Sequence, residues 1–333
     1  MPASTAPPTS LELRADGILL EVLTAGAAVR RLEVPGADGR PVGIVLGHAD
    51  PRTYVTDGGY LGATIGRFGN RIAGAHFDLD GKTHELTANE GSTTLHGGID
   101  GFDHRRWTVL EHDSTSVRLG LHSPHGDQGF PGALDVTVTY AVAPGLVRIY
   151  YTASCDRDTI VNLTNHSYFN LDGESSGAVD DHELTLSAPA FTPTDALLIP
   201  TGEVREVEGT PFDFRRARRL GEALAHRDEQ LAHGDGLDHN FVVDGVGLRH
   251  VATLRGASGR TLVVESDQPG VQVYTGAHFD GTVTGTSGTA YGPRAGIALE
   301  TQGFPDAPHH ANFPTTVLRA GTEHRTTTVW RLG

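Results

Sequence analysis

The chain has 333 residues, a formal net charge of −15 and a single cysteine, Cys155. The acidic balance excludes non-specific nucleic-acid binding, which needs Lys and Arg to neutralise phosphates. No apolar run reaches the roughly 18 residues of a membrane-spanning helix. One cysteine forms neither an intrachain disulfide nor a Cys-based zinc site. The 43 glycines and 18 prolines favour turns and short strands over long helices.

Apolar residues with a period of two dominate the sequence and predict short strands. In chain order, the predicted strands are 42–46, 75–79, 117–121, 134–142, 147–153, 262–264, 271–273 and 326–332. Pro144-Gly145 joins two of them into a predicted hairpin. Helical periodicity is clearest at 216–232, where we expect one or two short helices. The pattern predicts an all-β protein, either a sandwich or a barrel.

No linker or repeat divides the chain. We therefore expect a flexible N-terminal segment over residues 1–9 and one domain over residues 10–333. The first residues lack a basic region followed by an apolar segment, so no secretory signal is predicted and we expect a cytoplasmic protein. The sequence leaves a monomer and a homodimer equally open.

Two glycine-rich segments carry polar side chains that suit a ligand. Residues 66–72 contain Arg67, Asn70 and Arg71, and residues 94–98 place His96 before two glycines. Arg offers a rigid fork of donors for oxygen-rich ligands. Each segment taken alone is also consistent with an ordinary surface turn or a structural histidine.

Two further segments combine apolar alternation with groups able to move protons. Residues 161–170 hold three asparagines and His166, although Asn is depleted in strands. Glu300 follows an apolar run, and a carboxyl near apolar groups is a usable proton acceptor near neutral pH. Asp238 lies in a supporting polar segment, 236–241. No motif for a metal, nucleotide or dinucleotide site is present, so we expect neither metal nor cofactor.

Taken together, these segments resemble the aldose 1-epimerase (galactose mutarotase) family. The resemblance runs from about residue 30 to the C-terminus, and the motifs that carry it occur in the family's order. They are Gly66–Ile72, Leu95–Gly98, Thr164–Leu171, Asp238–Phe241, Pro269–Gly276 and Leu299–Gln302, continued by Pro305-Asp306 and Asn312–Pro314.

The resemblance implies a large antiparallel β-sandwich with a sugar cleft across one sheet. It implies interconversion of the α and β anomers of a free monosaccharide, such as glucose or galactose, without a cofactor. In that reading Glu300 is the general base and His166, as an imidazolium, the general acid. The implied sugar-binding residues are Asn70, Arg71, His96, Asp238 and Gln272, and Phe279 or Tyr274 is a candidate stacking platform.

Three other functions remain open from the sequence. A non-catalytic carbohydrate-binding protein would share the cleft but would not need a paired acid and base. A glycoside hydrolase normally uses two carboxylates, which leaves His166 without a task. A hexose-6-phosphate 1-epimerase would need a basic cluster for the phosphate, and the net charge of −15 gives no hint of one.

Overall fold

The computed structural model describes residues 7–56 and 59–333. Most of the predicted N-terminal segment, residues 1–6, lies outside the described residues. Thr9 is bound to the fold, because its N–H donates to Thr24 Oγ1 at 2.9 Å and its carbonyl accepts from Thr24 N at 3.0 Å. Whether residues 1–9 form a flexible segment stays a prediction.

Short strands make up most of the described chain. In its first part these are β1 Ser10–Ala15, β2 Ile18–Leu23, β3 Val29–Pro35, β4 Pro41–Gly43, β5 Thr64–Ile65, β6 Arg71–Ile72, β7 His76–Leu79, β8 Lys82–Glu85 and β9 Thr94–Leu95. The next are β10 Thr108–His112, β11 Ser116–Ser123, β12 Leu134–Ala143, β13 Leu146–Cys155, β14 Thr159–Ile160, β15 Thr164–Asn165, β16 Tyr168–Phe169, β17 Glu183–Leu186 and β18 Ala190–Thr192. The last are β19 Arg205–Glu206, β20 Arg218–Arg219, β21 Asp238–Val242, β22 Arg249–Arg255, β23 Thr261–Ser266, β24 Gly270–Tyr274, β25 Ile297–Gln302, β26 Val317–Leu318 and β27 Glu323–Leu332.

Helices within the described residues are short. They are α1 Thr53–Thr56, α2 Leu220–Leu224 and α3 Glu229–His233, with 3₁₀ turns at Ala73–Ala75, Asp127–Gly129 and Ala307–His309. The one or two short helices predicted within 216–232 are present as α2 and α3, the second ending one residue later at His233, whereas α1 carries no signal in the sequence. No helix in the described ranges has the length and apolar character needed to cross a membrane.

Two large antiparallel sheets form the body of the protein. The nine-stranded sheet has the order β10-β11-β12-β13-β27-β23-β22-β17-β20, and the six-stranded sheet has the order β16-β25-β24-β21-β18-β19. Strands β1–β4 form a separate four-stranded sheet, and the remaining strands pair in twos. The predicted all-β sandwich is confirmed.

One continuous apolar core joins the two large sheets. It contains Val136 and Trp330 from the nine-stranded sheet and Val273 and Leu299 from the six-stranded sheet. Trp330 meets Phe169 of β16 edge to face, with ring centroids 5.0 Å apart. Burial of apolar surface between the sheets is the main force that holds them together.

The structure also confirms the predicted hairpin. Strands β12 and β13 pair in register from Leu134↔Cys155 to Ala143↔Leu146, so that Pro144-Gly145 forms the connection. The turn at 268–270 acts differently, because it carries the chain from β23 in the nine-stranded sheet to β24 in the six-stranded sheet. It therefore connects the two layers of the sandwich rather than two neighbouring strands.

Trp330→Ala is expected to destabilise the protein by about 3–5 kcal/mol, because it removes a large side chain from between the sheets and leaves a cavity. Chemical denaturation followed by circular dichroism checks this. The control is Arg331→Ala at the next position, whose side chain is half exposed. If both variants lost the same small amount of stability, Trp330 would not be a principal contact between the layers.

Candidate active site

The six-stranded sheet has one apolar face and one polar face. Its register places Gln272 opposite Glu300 and Asp238 opposite Tyr274, so these four side chains share a face. Neighbouring residues such as Leu299 point the other way and belong to the core. The period-two pattern of β21, β24 and β25 therefore builds a core on one side and a polar surface on the other.

His166 reaches this polar face from the connection between β15 and β16. Its backbone is fixed on both sides, because its N–H donates to Ala63 O and its carbonyl accepts from Gly62 N, each at 2.9 Å. His166 Nε2 lies 3.5 Å from Glu300 Oε1, and the two side chains are 5% and 2% exposed. The structure thus brings the two predicted catalytic groups together, although they are 134 positions apart in the chain.

Burial controls the ionisation of this pair. It raises the pKa of Glu300 well above its usual value; Asp238 adds to the rise and Arg71 opposes it. Burial also lowers the pKa of His166 to about 3. Loss of water favours the uncharged form of each group in the sugar-free site. In that form Glu300 carries the carboxyl proton beside a neutral His166 imidazole, and the imidazolium that the resemblance implies arises when the carboxyl proton moves to His166.

His96 is presented by a turn that only a particular backbone allows. His96 itself has φ +52°, and a Cβ at Gly97, where φ is +90°, would lie 2.1 Å from Gly66 O. Glycine after His96 is therefore required by the close approach of the 66–72 segment. The same segment fixes the imidazole, since Asn70 N–H donates to His96 Nδ1 at 3.1 Å.

That hydrogen bond also determines what His96 offers the site. With Nδ1 accepting, neutral His96 carries its proton on Nε2 and donates from there. His96, His166 and Glu300 have potential ligand atoms within 4.8 Å of one another, a separation compatible with a metal ion. A histidine that ligates a metal normally donates from its other ring nitrogen. His96 accepts there, so its chemistry fits a hydrogen-bond donor better than a metal ligand.

Arg71, Asp238 and Gln272 form a second polar group beside the pair. Gln272 Nε2 donates to Asp238 Oδ1 at 2.6 Å, and Arg71 Nη1 lies 3.8 Å from Asp238 Oδ2. Arg71 also makes a two-pronged ion pair with Glu90, a residue that no sequence motif indicates. Asn70 supports its neighbours as well, because its N–H donates to His96 and its side-chain oxygen accepts from Arg71 N.

Several polar residues of the same motifs have structural tasks instead. Arg67 is buried and donates to the carbonyls of residues 123, 124, 131 and 132, so it does not face the cleft. Asn162, Asn165 and Asn170 each donate to backbone carbonyls of distant loops. Of the polar groups in 161–170, His166 is the one that meets Glu300.

Aromatic rings surround the two histidines. Tyr60 lies beside His96, with centroids 4.6 Å apart, and Tyr168 lies 4.9 Å from His166. Of the two candidate platforms, Phe279 is fully buried, whereas Tyr274 is partly exposed on the polar face. Tyr274 is therefore the accessible ring of the two.

Unpaired buried polar atoms mark this face as a binding surface. Glu300 Oε2, Gln272 Oε1 and His166 Nδ1 are buried without a hydrogen-bond partner. So are atoms of Asn240 and Gln302, which the register places on the same face and which the sequence analysis does not single out. Their signal in the sequence is the alternation itself. Because leaving such atoms unpaired is costly, the surface suits a ligand rich in hydroxyl groups.

A two-layer antiparallel fold with a buried carboxyl–imidazole pair among hydroxyl-binding groups defines a galactose mutarotase-like protein. The family model described as aldose 1-epimerase matches residues 9–331, and the chain belongs to this family.

Individual relatives show the same similarity. Galactose mutarotase of Homo sapiens is 42% identical over 332 residues, which cover 98% of this chain and 95% of the human protein. Aldose 1-epimerase of Escherichia coli is 37% identical, with coverage of 95% and 92%. The crystal structure of an aldose epimerase homologue from C. elegans superposes with a TM-score of 0.91 at 30% identity, covering 98% of this chain and 99% of that one.

His239→Asn is expected to reduce the acid sensitivity of the fold. His239 is on the core side of β21, and burial lowers its pKa to about 3 from an ordinary 6.5. As the pH falls below 6.5 the unfolded chain binds this proton before the folded chain does, so stability is lost. Between pH 7 and pH 5 the loss from this group is about 2 kcal/mol.

Urea unfolding at both pH values measures the difference. The wild type should lose about 2 kcal/mol more than His239→Asn over this interval. His122→Asn, at a side chain 60% exposed, should behave as the wild type. An equal loss in the wild type and His239→Asn would show that His239 titrates normally in the fold.

Proposed function

We propose that this protein is an aldose 1-epimerase that interconverts the α and β anomers of a free aldohexose such as glucose or galactose. The observation that carries the proposal is the buried approach of His166 Nε2 to Glu300 Oε1 at 3.5 Å beside unpaired hydrogen-bonding groups. Similarity to human galactose mutarotase over nearly the whole chain supports the same activity.

The reaction opens and recloses one hemiacetal. Glu300, as a carboxylate, takes the proton of the C1 hydroxyl while His166, as an imidazolium, gives a proton to the ring oxygen, and the C1–ring-oxygen bond breaks. The resulting aldehyde rotates about C1–C2 and recloses on its other face by the reverse transfers. No proton is gained or lost overall, and each positioned transfer contributes roughly 10²–10⁴-fold.

Burial leaves on the pair the proton that this cycle needs. The uncharged pair has its proton on Glu300, and moving it to His166 gives the productive ion pair without changing the net charge. Bound sugar favours that transfer, since the C1 hydroxyl donates to the carboxylate and the ring oxygen accepts from the imidazolium. His96 Nε2–H is a donor that stabilises negative charge near the reacting oxygens, whereas the Arg71 guanidinium binds sugar hydroxyls beside Asp238.

The remaining groups bind the sugar. Asp238 accepts from two adjacent hydroxyls, Gln272 and Asn70 orient their neighbours and contact the same ligand, and Tyr274 supplies an aromatic surface. A neutral monosaccharide is the substrate class that this set of donors and acceptors matches. A cytoplasmic location and a monomeric or homodimeric state stay predictions from the sequence.

Glu300→Gln is expected to lower kcat roughly 10²–10⁴-fold, because the amide accepts no proton. Polarimetry of freshly dissolved α-glucose and α-galactose measures the rate, and an NMR titration with sugar measures binding, which should change little. Glu265→Gln, at an exposed ion pair on β23, is the matched control and should keep full activity. A Glu300→Gln rate near that of the wild type would falsify the assignment of the base.

His166→Ala should lower kcat by a similar factor while KM changes only a few-fold, because the ring-oxygen proton is delivered mainly in the transition state. The same polarimetric assay over a range of sugar concentrations separates kcat from KM. His122→Ala serves as the exposed control. A rise in KM with an unchanged kcat would instead make His166 a binding residue.

A further inference from the structure

Glu90 makes a two-pronged ion pair with the guanidinium of Arg71 on the outer side of the site. Arg71 Nε donates to Glu90 Oε2 at 2.6 Å, and Arg71 Nη2 donates to Glu90 Oε1 at 2.8 Å. The Arg71 side chain is 9% exposed and that of Glu90 is 41% exposed. A parallel pair of charge-assisted bonds fixes the plane of the guanidinium as well as its position.

This ion pair leaves one edge of the Arg71 guanidinium to face the site. Nε and Nη2 are occupied by Glu90, so Nη1 is the nitrogen directed to the polar face, 3.8 Å from Asp238 Oδ2. Arg71 therefore lies between two carboxylates, one at the rim and one on the sheet. Without Glu90, a mostly buried cation would lose two acceptors and be free to turn toward Asp238.

The loop that carries Glu90 is itself held close to His96. Glu90 and Thr93 exchange backbone hydrogen bonds of 3.1 and 2.9 Å. Asn89 binds the backbone of Leu95 through both its side-chain atoms, at 2.7 and 3.0 Å. Because Leu95 pairs with Arg71 across β6 and β9, the carboxylate and its partner belong to one fixed unit.

We propose that Glu90 is a positioning residue, which acts through Arg71 by fixing Nη1 where it binds the sugar beside Asp238. This rests on the proposed epimerase function. The contribution differs from that of an ordinary surface ion pair, which is worth little, because Arg71 is buried and its orientation decides which donor faces the substrate.

The first test compares Glu90→Gln with Glu203→Gln by polarimetry. Glu203 makes the same two-pronged pair with Arg205 on the surface, at 2.9 and 2.8 Å, and is the matched control. Glu90→Gln should raise KM about 10-fold, as expected for one misplaced charge-assisted bond, with kcat changed much less. Glu203→Gln should change neither. An unaltered KM in Glu90→Gln would overturn the proposal.

The second test asks whether Glu90 acts through Arg71. In an Arg71→Ala background, Glu90→Gln should change KM by less than about twofold, since the group it positions is gone. Arg71→Met, which keeps much of the buried volume but has neither the charge nor a hydrogen-bond donor, gives the same cycle if Arg71→Ala fails to fold. Additive effects in the cycle would show that Glu90 acts elsewhere and would also overturn the proposal.

These outcomes are separable from the proposed function itself. If the wild-type protein does not accelerate anomer interconversion, the epimerase proposal fails regardless of Glu90. If it does and the two substitutions are additive, only the role of Glu90 fails. Circular dichroism of each variant, compared with the wild type, ensures that the kinetic comparison concerns folded protein.

Discussion

Glu300 and His166 face each other across 3.5 Å with almost no contact with water, and much of the surrounding structure serves that burial. In water at neutral pH, a carboxyl group with its ordinary pKa would be ionised and an imidazole would be mostly neutral. Removal of water disfavours both charges and so favours a carboxylic acid beside a neutral imidazole. A pair in this state can pass a proton in either direction, as a reversible ring opening requires.

Burying polar groups in such a site costs stability, and the six-stranded sheet is what accommodates them. Buried polar atoms without partners destabilise a fold. Here the unpaired atoms of Asn240, Gln272, Glu300 and Gln302 lie on one face of three adjacent strands, while the opposite face adds apolar side chains to the continuous core of the sandwich. The period of two in a strand makes this separation possible, because alternate residues serve packing and chemistry within the same few positions. In the proposed function, a sugar rich in hydroxyls supplies the missing hydrogen bonds.

Residues of the same type have different roles within a single motif. Arg67 and Arg71 are four positions apart, yet Arg67 donates to loop carbonyls and Arg71 reaches the polar face between Glu90 and Asp238. The asparagines around His166 likewise bind backbone groups. Polar side chains that tie loops together are as necessary to the site as those that face it, since the loops hold His96 and His166 in place.

Alternation and turn residues are local signals, and they were enough to predict the fold class, the main hairpin, the short helices near residue 220 and the segments that carry the polar groups. The family resemblance supplied the residues of the site. The folded structure was needed to establish that β27 lies between β13 and β23, that the turn at 268–270 connects two sheets, and that Glu90 holds Arg71. It was also needed to show the burial that lowers the pKa of His166 to about 3. The physical reason is that strand order, long-range ion pairs and the loss of water around a side chain depend on segments far apart in the chain, and no local pattern encodes them.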